Sequence, residues 1–549
     1  MGHTATVDVL IAGAGPVGLS AAAELVRHGV RCRLVDRLPA RLPYAKAVGI
    51  QPRTLEIWDR MGLARTVLES AAVLRGQLVH VNGRETARID TALPPEVPYG
   101  FAALPQYTTE RLLEEYLAEL GTVVERGTEL LSFGQDPDGV TVRLRTSSGA
   151  EEELRVGYLV GCDGAHSTVR KGLGLAFEGD AFAEEYMLGD VEADWDLPHG
   201  YGLRSSHRAE NGSTDDVLVC IPLPGAGRYR MSMLVPPELS TRASGGGDGV
   251  AHGLEGGRTP GLAHLQAVVD RLAPKPATLS RLRWSSVFRI SHRIVDRYGA
   301  GRVFVAGDAA HIHPPTGAQG MNTGIQDAGN LAWKLALVVR GEAGPALLET
   351  YDAERRPVGE EVVGRTVRHA TQGIEADPDD PRTVLLREAQ LLVGHRGGPL
   401  AGSPYGPADA PQPGDRAPDC AGLTLPLAAF PLRLLDVLRG RAGLVVLLYA
   451  AHAGDLAEAA EAVAAAGEPL GAARPATVAV LAREAAAVAP DTLAVAAYRD
   501  TGGEFARLYR PDGPTGLVVR PDGLLGARFP LAETAAALSG LLAALSVPA

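Results

Sequence analysis

The sequence predicts an α/β chain of several domains, and three short stretches carry that prediction. Gly13-Ala14-Gly15-Pro16-Val17-Gly18 follows one apolar run and Cys162-Asp163-Gly164-Ala165-His166-Ser167-Thr168-Val169-Arg170 follows another; Gly307-Asp308 follows a third and leads into Gly320-Met321-Asn322. Each places glycine and a nearby polar group at the C-terminal end of a predicted strand, the edge where α/β sheets bind ligands. The chain has 549 residues, beyond the ~250–300 at which a single core stops growing, so two or three domains are expected.

Taken in order, Val7 to Ala12 is a continuous apolar run ending at Gly13, the pattern of a buried parallel strand. Pro16 to His28 has helical spacing at Val17, Leu19, Leu25 and Val26 and stops at Gly29. Arg31 to Val35 is a second strand ending at Asp36, which completes a strand–helix–strand unit. Residues 140–160 alternate apolar and polar and predict a hairpin returning to Tyr158-Leu159-Val160. From 176 to 284, aromatics, isolated Gly and Pro, and short alternating runs predict a mostly antiparallel sheet, with glycine-rich Ser244 to Gly261 as a mobile loop. Arg302 to Ala306 returns to a buried strand, and Gly320 to Arg340 is one long helix that offers Ile325, Leu331, Trp333, Leu335 and Leu337 for burial. A Pro/Gly/Ala stretch over 396–417 is predicted to be a linker. Beyond it lie a strand at Gly443 to Ala450, Ala-rich helices, and Leu517-Val518-Val519 running into the turn Arg520-Pro521-Asp522-Gly523.

Composition excludes several classes. The net charge of −12 and the absence of a basic block argue against a nucleic-acid surface. No run of 18 apolar residues exists, so no membrane span is expected. The N-terminus has no basic region before its first apolar run, so a cytoplasmic protein is expected. Cys32, Cys162, Cys220 and Cys420 are widely spaced, without a C-x-x-C, which leaves zinc and dithiol chemistry unsupported. His311 and His313 sit near Asp308, but scaffold roles fit them better than metal ligation, and no metal site is expected.

The chemistry follows from the glycines and carboxylates. Gly13 makes a tight turn, Gly15 lets a pyrophosphate approach the backbone, and Gly18 lets the helix pack on the strand. The amide-rich end of the helix beginning at Pro16 then faces phosphate charge. Asp36 stands at a strand end where it can accept from ribose hydroxyls. This motif alone fits FAD and NAD equally. The third stretch separates them: a carboxylate at Asp308 can bind a polyol such as the ribityl chain, and the helix starting near Gly320 aims free amides at the pyrimidine edge of a flavin. Pro314-Pro315 supplies a rigid wall beside it. Asp163 is open to two readings, a turn closed by an ion pair with Arg170 or a loop lying across the flavin or nicotinamide path.

With these motifs placed, the chain resembles the single-component, class A flavoprotein aromatic monooxygenases, which share the para-hydroxybenzoate hydroxylase fold. The tract Gly317-Ala318-Gln319-Gly320-Met321-Asn322-Thr323-Gly324-Ile325-Gln326-Asp327-Ala328 carries the resemblance most specifically, and it is similar to the aromatic polyketide, hydroxyphenylpropionate and chlorophenol hydroxylases. The resemblance implies a Rossmann-like FAD-binding domain (1–175 and 285–395), an inserted mostly antiparallel-sheet substrate domain (176–284), the linker, and a C-terminal thioredoxin-like α/β domain (418–549) lacking C-x-x-C. It implies cofactor contacts from Gly13, Gly15, Pro16, Gly18, Asp36, Arg37, Lys46, Gln106, Asp163, Asp308, Pro315, Gly320, Met321 and Asn322. Where the family usually has Arg, this chain has Lys46, which keeps the charge but loses the planar fork.

The activity so implied is NAD(P)H-driven reduction of FAD, formation of a flavin C4a-hydroperoxide with O₂, and hydroxylation of a phenolic or polycyclic polyketide-type aromatic substrate. No second G-x-G-x-x-G occurs, so NAD(P)H is expected as a transient co-substrate. Catalytic candidates in the substrate domain are His199, Tyr201, Tyr229 and Arg230, with His207 and Trp284 behind them; Met231 and Phe288 fit packing. Two other readings stay open: a Baeyer–Villiger oxygenase on the same fold, and a non-catalytic flavin or aromatic-metabolite binder. Either a monomer or a homodimer is compatible with the sequence.

Overall fold

The computed structural model describes residues 7–43, 46–240, 250, 253–255, 259–373, 377–425, 429–468, 474–485 and 493–545. Most of the expected Ser244–Gly261 loop lies outside them. Among the described residues no helix is long and apolar enough to cross a membrane.

The first sheet has a parallel core in the order Val303–Val305, Glu151–Gly161, Val7–Ala12, Cys32–Asp36, Val124–Arg126. Ile11 lies opposite Val160 on one side and Leu34 on the other. Both faces of the sheet are covered, which is why its strands read as unbroken apolar runs. The Pro16–Arg27 helix packs beside the Gly320–Val339 helix across a seam of small groups. A Cβ on Gly324 would stand 2.9 Å from the Gly307 Cα and 2.6 Å from a Val17 methyl.

The second sheet runs Gly253–Glu255, Thr278–Val295, Phe177–Asp194, Arg228–Leu234, Thr214–Pro222, Tyr201–Arg208, Gly76–Val81, Arg84–Asp90. It is antiparallel except where Tyr201–Arg208 meets Gly76–Val81. Those last two strands come from the first chain segment, ahead of the alternating region expected to form the sheet; pairing along the Tyr201–Arg208 edge draws them in. One face is closed by the Leu262–Leu272 helix, whose Leu265, Val268, Val269 and Leu272 pack on Met187, Val191, Leu203, Leu218, Cys220 and Met231. The other face is only half covered.

The third sheet, in the order Leu423–Thr424, Ala497–Asp500, Ala476–Leu481, Val445–Ala450, Thr515–Val519, Leu525–Pro530, is parallel across Ala497–Asp500, Ala476–Leu481 and Val445–Ala450 and antiparallel towards both edges. The Ala453–Gly467 and Thr534–Leu545 helices cover one face, while Leu434–Leu438 and Glu504–Tyr509 cover the other. This is the α/β layering of a thioredoxin-like unit. Its one cysteine in this region, Cys420, is a free buried thiol pushed well up by burial. The expected linker lies without helix or strand against both neighbours: Arg396 pairs with Asp415, Gly414 N–H donates to Leu525 O, and Arg416 pairs with Glu56.

The third unit is plugged into the first by its Arg520–Gly523 turn. Arg520 donates to both carboxylate oxygens of Glu354 (2.7 and 2.8 Å), and Lys334 Nζ donates to Glu354 Oε2 at 2.8 Å. Asp522 accepts from Arg520, Asn330 and Trp333. Arg53 and Arg60, on the Pro52–Met61 helix, donate to the carbonyls of Asp522 and Arg520. Arg520, Lys334 and Glu354 are 0–1% exposed, so each charge survives burial only through its partners. Two cavities of about 20 and 30 Å³ flank the turn, each with room for about one water. Burial pushes His28 and His395, which line the larger one, down to about 3, so both are neutral at pH 7.

Burial pushes Glu354 up, but Arg520 and Lys334 outweigh it and hold the carboxylate well below its usual range. A lowered folded-state pKa contributes stability above the unfolded value of about 4.3, and that stability is lost as pH falls through the folded value. Glu354→Gln leaves two cations short of their counter-ion and is expected to cost about 3–5 kcal/mol at pH 7, read as a lowered denaturant midpoint. The variant's deficit relative to the parent is expected to shrink once the pH drops below 4.

Candidate cofactor and substrate site

The glycines leave a cradle at the end of the first strand. Gly13 has φ +100° and a Cβ there would meet Cys162 O at 2.3 Å; one on Gly18 would meet Gly13 O at 1.9 Å. Gly15 differs: its backbone is extended (φ −76°), and an added Cβ would meet nothing within 4 Å. That open space sits at the N-terminus of a twelve-residue helix opened by Pro16, where a phosphate fits. Asp36 lies at its rim, its oxygens accepting from Ala14 N (2.7 Å) and Leu38 N (2.8 Å), with Arg126 3.5 Å away. Arg37 beside it is exposed.

Asp308 projects from a short 3-10 turn, Gly307–Ala309, after the Val303–Val305 strand. It is half-buried and makes no side-chain hydrogen bond among the described residues. Asp327 fixes the turn from the neighbouring helix. One of its oxygens accepts from Gly307 N (3.3 Å) and stands 2.8 Å from His311 Nε2, while the other accepts from Arg355 Nε (2.8 Å). Burial pushes Asp327 up, yet Arg355 and His311 outweigh it and keep the carboxylate ionised. His311 is thus a scaffold, stacked between Tyr298 and His313. No group of three or more possible metal ligands occurs among the described residues.

From Asp308 the chain passes exposed Pro315 and turns through Gly317 (φ +71°) and Ala318 (φ +55°) into the Gly320–Val339 helix, whose first-turn amides lack intrahelical acceptors. Met321 is half-buried there. The Asn322 side chain does not point to this edge. Its Oδ1 accepts from Gln51 N (3.0 Å) and Thr54 Oγ1 (2.8 Å), and its Nδ2 donates to Gly49 O and Ala318 O. With its side chain so engaged, Asn322 offers a ligand its backbone amide, the group that the helix start was expected to present. Gln319, Glu388 and Gln390, which sequence reasoning missed, form a buried amide–carboxylate cluster beneath the turn. Their separation of about 70 positions leaves no local signal.

Lys46 is exposed at the mouth of the cleft, and Gln106 ties its segment down, with Oε1 accepting from Ala47 N and Nε2 donating to Glu110. Burial pushes Glu110 up to about 7. Asp163 caps the short Thr168–Gly172 helix, accepting from Thr168 N (2.7 Å), Val169 N and Ser167 Oγ. Arg170 turns away from it, donating to Ala309 O and lying 3.9 Å over the Phe177 ring. The structure therefore replaces the Asp163–Arg170 pair with a capped turn.

The half-covered face of the second sheet fronts this cleft, since Arg230 Nη1 donates to Lys46 O (3.4 Å) and Arg228 Nη2 to the Tyr107 hydroxyl (3.4 Å). Buried Arg230 is paired with Asp190, which also accepts from Trp284 Nε1 at 2.8 Å, and its guanidinium lies 4.7 Å over the Trp284 ring. Strand alternation adds Tyr186, Leu188, Ser232 and Phe288 to this face. The other candidates are elsewhere. Tyr229 points to the helix-backed face and meets Trp195 edge to face; Tyr201 shares that face and donates to Asp90; His199 and His207 are exposed, the latter beside Asp215. The parity of positions 186, 188, 284, 286 and 288 was the readable signal for the wall.

The chain matches the FAD binding domain family model over residues 6–366. It is 42% identical over 365 residues to a 6-methylpretetramide 4-monooxygenase of Streptomyces rimosus, covering 65% of this chain and 61% of that protein. It is 36% identical over 448 residues to a flavin-dependent monooxygenase of Mycobacteroides abscessus, covering 79% and 87%. Among solved structures it is similar to the flavin-dependent monooxygenase PieE in complex with FAD and substrate (TM-score 0.80, 25% identity, 99% and 100% covered). It is also similar to aklavinone-11 hydroxylase with FAD and aklavinone (TM-score 0.73, 27% identity, 99% and 100% covered).

The contrast between two glycines is testable. Gly15→Ala places a methyl in the open cradle without touching protein atoms, so bound flavin, read as visible absorbance per chain, is expected to fall while the unfolding free energy of the flavin-free protein stays within about 1 kcal/mol of the parent. Gly18→Ala drives a methyl into Gly13 O and is expected to lower the midpoint itself.

Proposed function

The chain belongs to the FAD-binding domain family of single-component aromatic monooxygenases, and we propose that it hydroxylates a polycyclic, polyketide-type aromatic at the expense of NAD(P)H. The observation that carries this reading is the juxtaposition, in one cleft, of the Gly15 cradle, the unengaged Asp308 carboxylate, the free amides at Gly320–Asn322, and an aromatic wall.

FAD, when bound, would supply the redox chemistry between NAD(P)H and O₂. The protein binds and orients. Gly13, Gly15, Pro16 and Gly18 receive the pyrophosphate on the first helix, and Asp36, with Arg37 nearby, takes the adenosine ribose. Asp308 accepts from the ribityl hydroxyls. The amides of Gly320, Met321 and Asn322 face the pyrimidine edge, where they favour the negative charge that reduction brings. Pro315 and Lys46 border the ring, Gln106 fixes the Lys46 segment, and the turn capped by Asp163 supports the cleft wall. Trp284, Tyr186, Leu188 and Phe288 receive the substrate and displace water from it. Arg230 is a positioning residue: it holds Trp284 and the Lys46 carbonyl at once. The division of labour follows 1–175 with 285–395 for FAD, 176–284 with the 76–90 hairpin for substrate, and 418–549 as a buttress.

Relatives named for pretetramide and aklavinone support a fused-ring substrate for this chain. The test is a panel of single-ring and fused-ring phenols offered to the FAD-loaded protein. Fused-ring ligands are expected to accelerate NAD(P)H oxidation by at least about tenfold and to yield a product heavier by one oxygen whose NMR shows a new phenol, with little H₂O₂. A flavin-bearing protein whose NAD(P)H oxidation no aromatic ligand stimulates overturns the reading, and a lactone product points to ring insertion instead.

A further inference from the structure

We infer that Arg204 is a receptor for an anionic oxygen of the substrate, which makes fused-ring aromatic acids and ionised enols the substrate class of this chain. This deepens the hydroxylase reading and rests on it.

Strand register places Arg204 on the wall. On the Tyr201–Arg208 strand its neighbours Leu203 and Ser205 are 0–1% exposed on the helix-backed side, so Arg204 points to the open face. It pairs with Val79 on one side and Val219 on the other; from Val219 the row continues through Ser232 and Leu188 to Ser286. The adjacent row reads Ile221, Arg230, Asp190, Trp284, where Arg230 and Asp190 neutralise each other. Arg204 is exposed and makes no hydrogen bond or ion pair among the described residues. Tyr186 shares the face, and Arg204 acts on its phenol in the direction opposite to burial. Glu184 has the same parity but is exposed and forms no ion pair with Arg204.

A ring system laid on this wall takes water away from the guanidinium. With no carboxylate paired to it among the described residues, that desolvation is unfavourable unless the ligand brings the counter-charge. A neutral ligand is therefore penalised, whereas one with a carboxylate or ionised enol receives a bidentate partner. Three strand spacings separate the Leu188 strand from the Arg204 strand, about 14 Å. A single ring cannot reach both, and a fused polycycle can.

The test uses FAD-loaded protein and two three-ring probe pairs, long enough to lie along the wall: 3-hydroxyanthracene-2-carboxylate with its methyl ester, and 2-hydroxy-1,4-anthraquinone with its methyl ether. Binding is read from perturbation of the flavin absorption band. The anionic member of each pair is expected to bind about tenfold or more tightly; Arg204→Gln is expected to abolish that preference with ester affinity unchanged, and Arg204→Lys to keep part of it. Preference in the first pair alone identifies a carboxylate, in the second alone an enol. Equal affinity for charged and neutral members, or a preference that survives Arg204→Gln, overturns the inference while the hydroxylase reading stands. If no probe perturbs the flavin or stimulates NAD(P)H oxidation, the wall is not an aromatic site and both fail.

Discussion

The site depends on one buried carboxylate. Asp327 is 0% exposed and joins three elements: the turn carrying Asp308, through Gly307 N and His311; the Gly320–Val339 helix, on which it stands; and the Glu349–Gln372 helix, through Arg355. An ionised group in that position is tolerated only because a guanidinium, an imidazole and a backbone amide surround it. In return it holds the Asp308 carboxylate and a row of helix N-terminal amides at fixed separation, the preorganisation that the proposed flavin site would need.

Asn322 does for the opposite wall what Asp327 does for the turn. Its amide joins the helix start to Gly49, Gln51 and Thr54, so the Lys46–Gly49 segment is tied to the Gly320–Val339 helix from one side and to Arg230 of the second sheet from the other. The cofactor layer and the substrate wall thus share a few hydrogen bonds around a single strip of chain. The strands Phe177–Asp194 and Thr278–Val295, each 18 residues long, run continuously from beside the cofactor layer into the wall and give that strip a stiff frame.

Much of this was legible in the sequence. The tight turn at Gly13, the close packing at Gly18, the strand-end position of Asp308, the long helix from Gly320 and the change to antiparallel pairing after 176 all follow from local spacing, and the structure has each of them. What was not legible depends on partners far apart in the chain. Gln51 meets Asn322 across 271 positions and Arg53 meets Asp522 across 469, so neither spacing nor propensity announces them. Tyr229 was a candidate through its place in the alternating region, and strand parity turns it to the helix-backed side: residues 229 and 230 face opposite sides of one sheet. The Asp163–Arg170 pair failed because a carboxylate just before a helix is better used by that helix's free amides.

The plug at Arg520–Gly523 also bears on how such chains diversify. Its socket is assembled from residues at 53, 60, 330, 333, 334 and 354, all outside the unit that inserts into it. A recombination event that brought in a foreign C-terminal module without matching charges would strand buried ions on both sides of the junction. Lineages can therefore vary the substrate sheet freely while the module and its receptacle are inherited together, which makes this seam a poor crossover point for shuffled libraries.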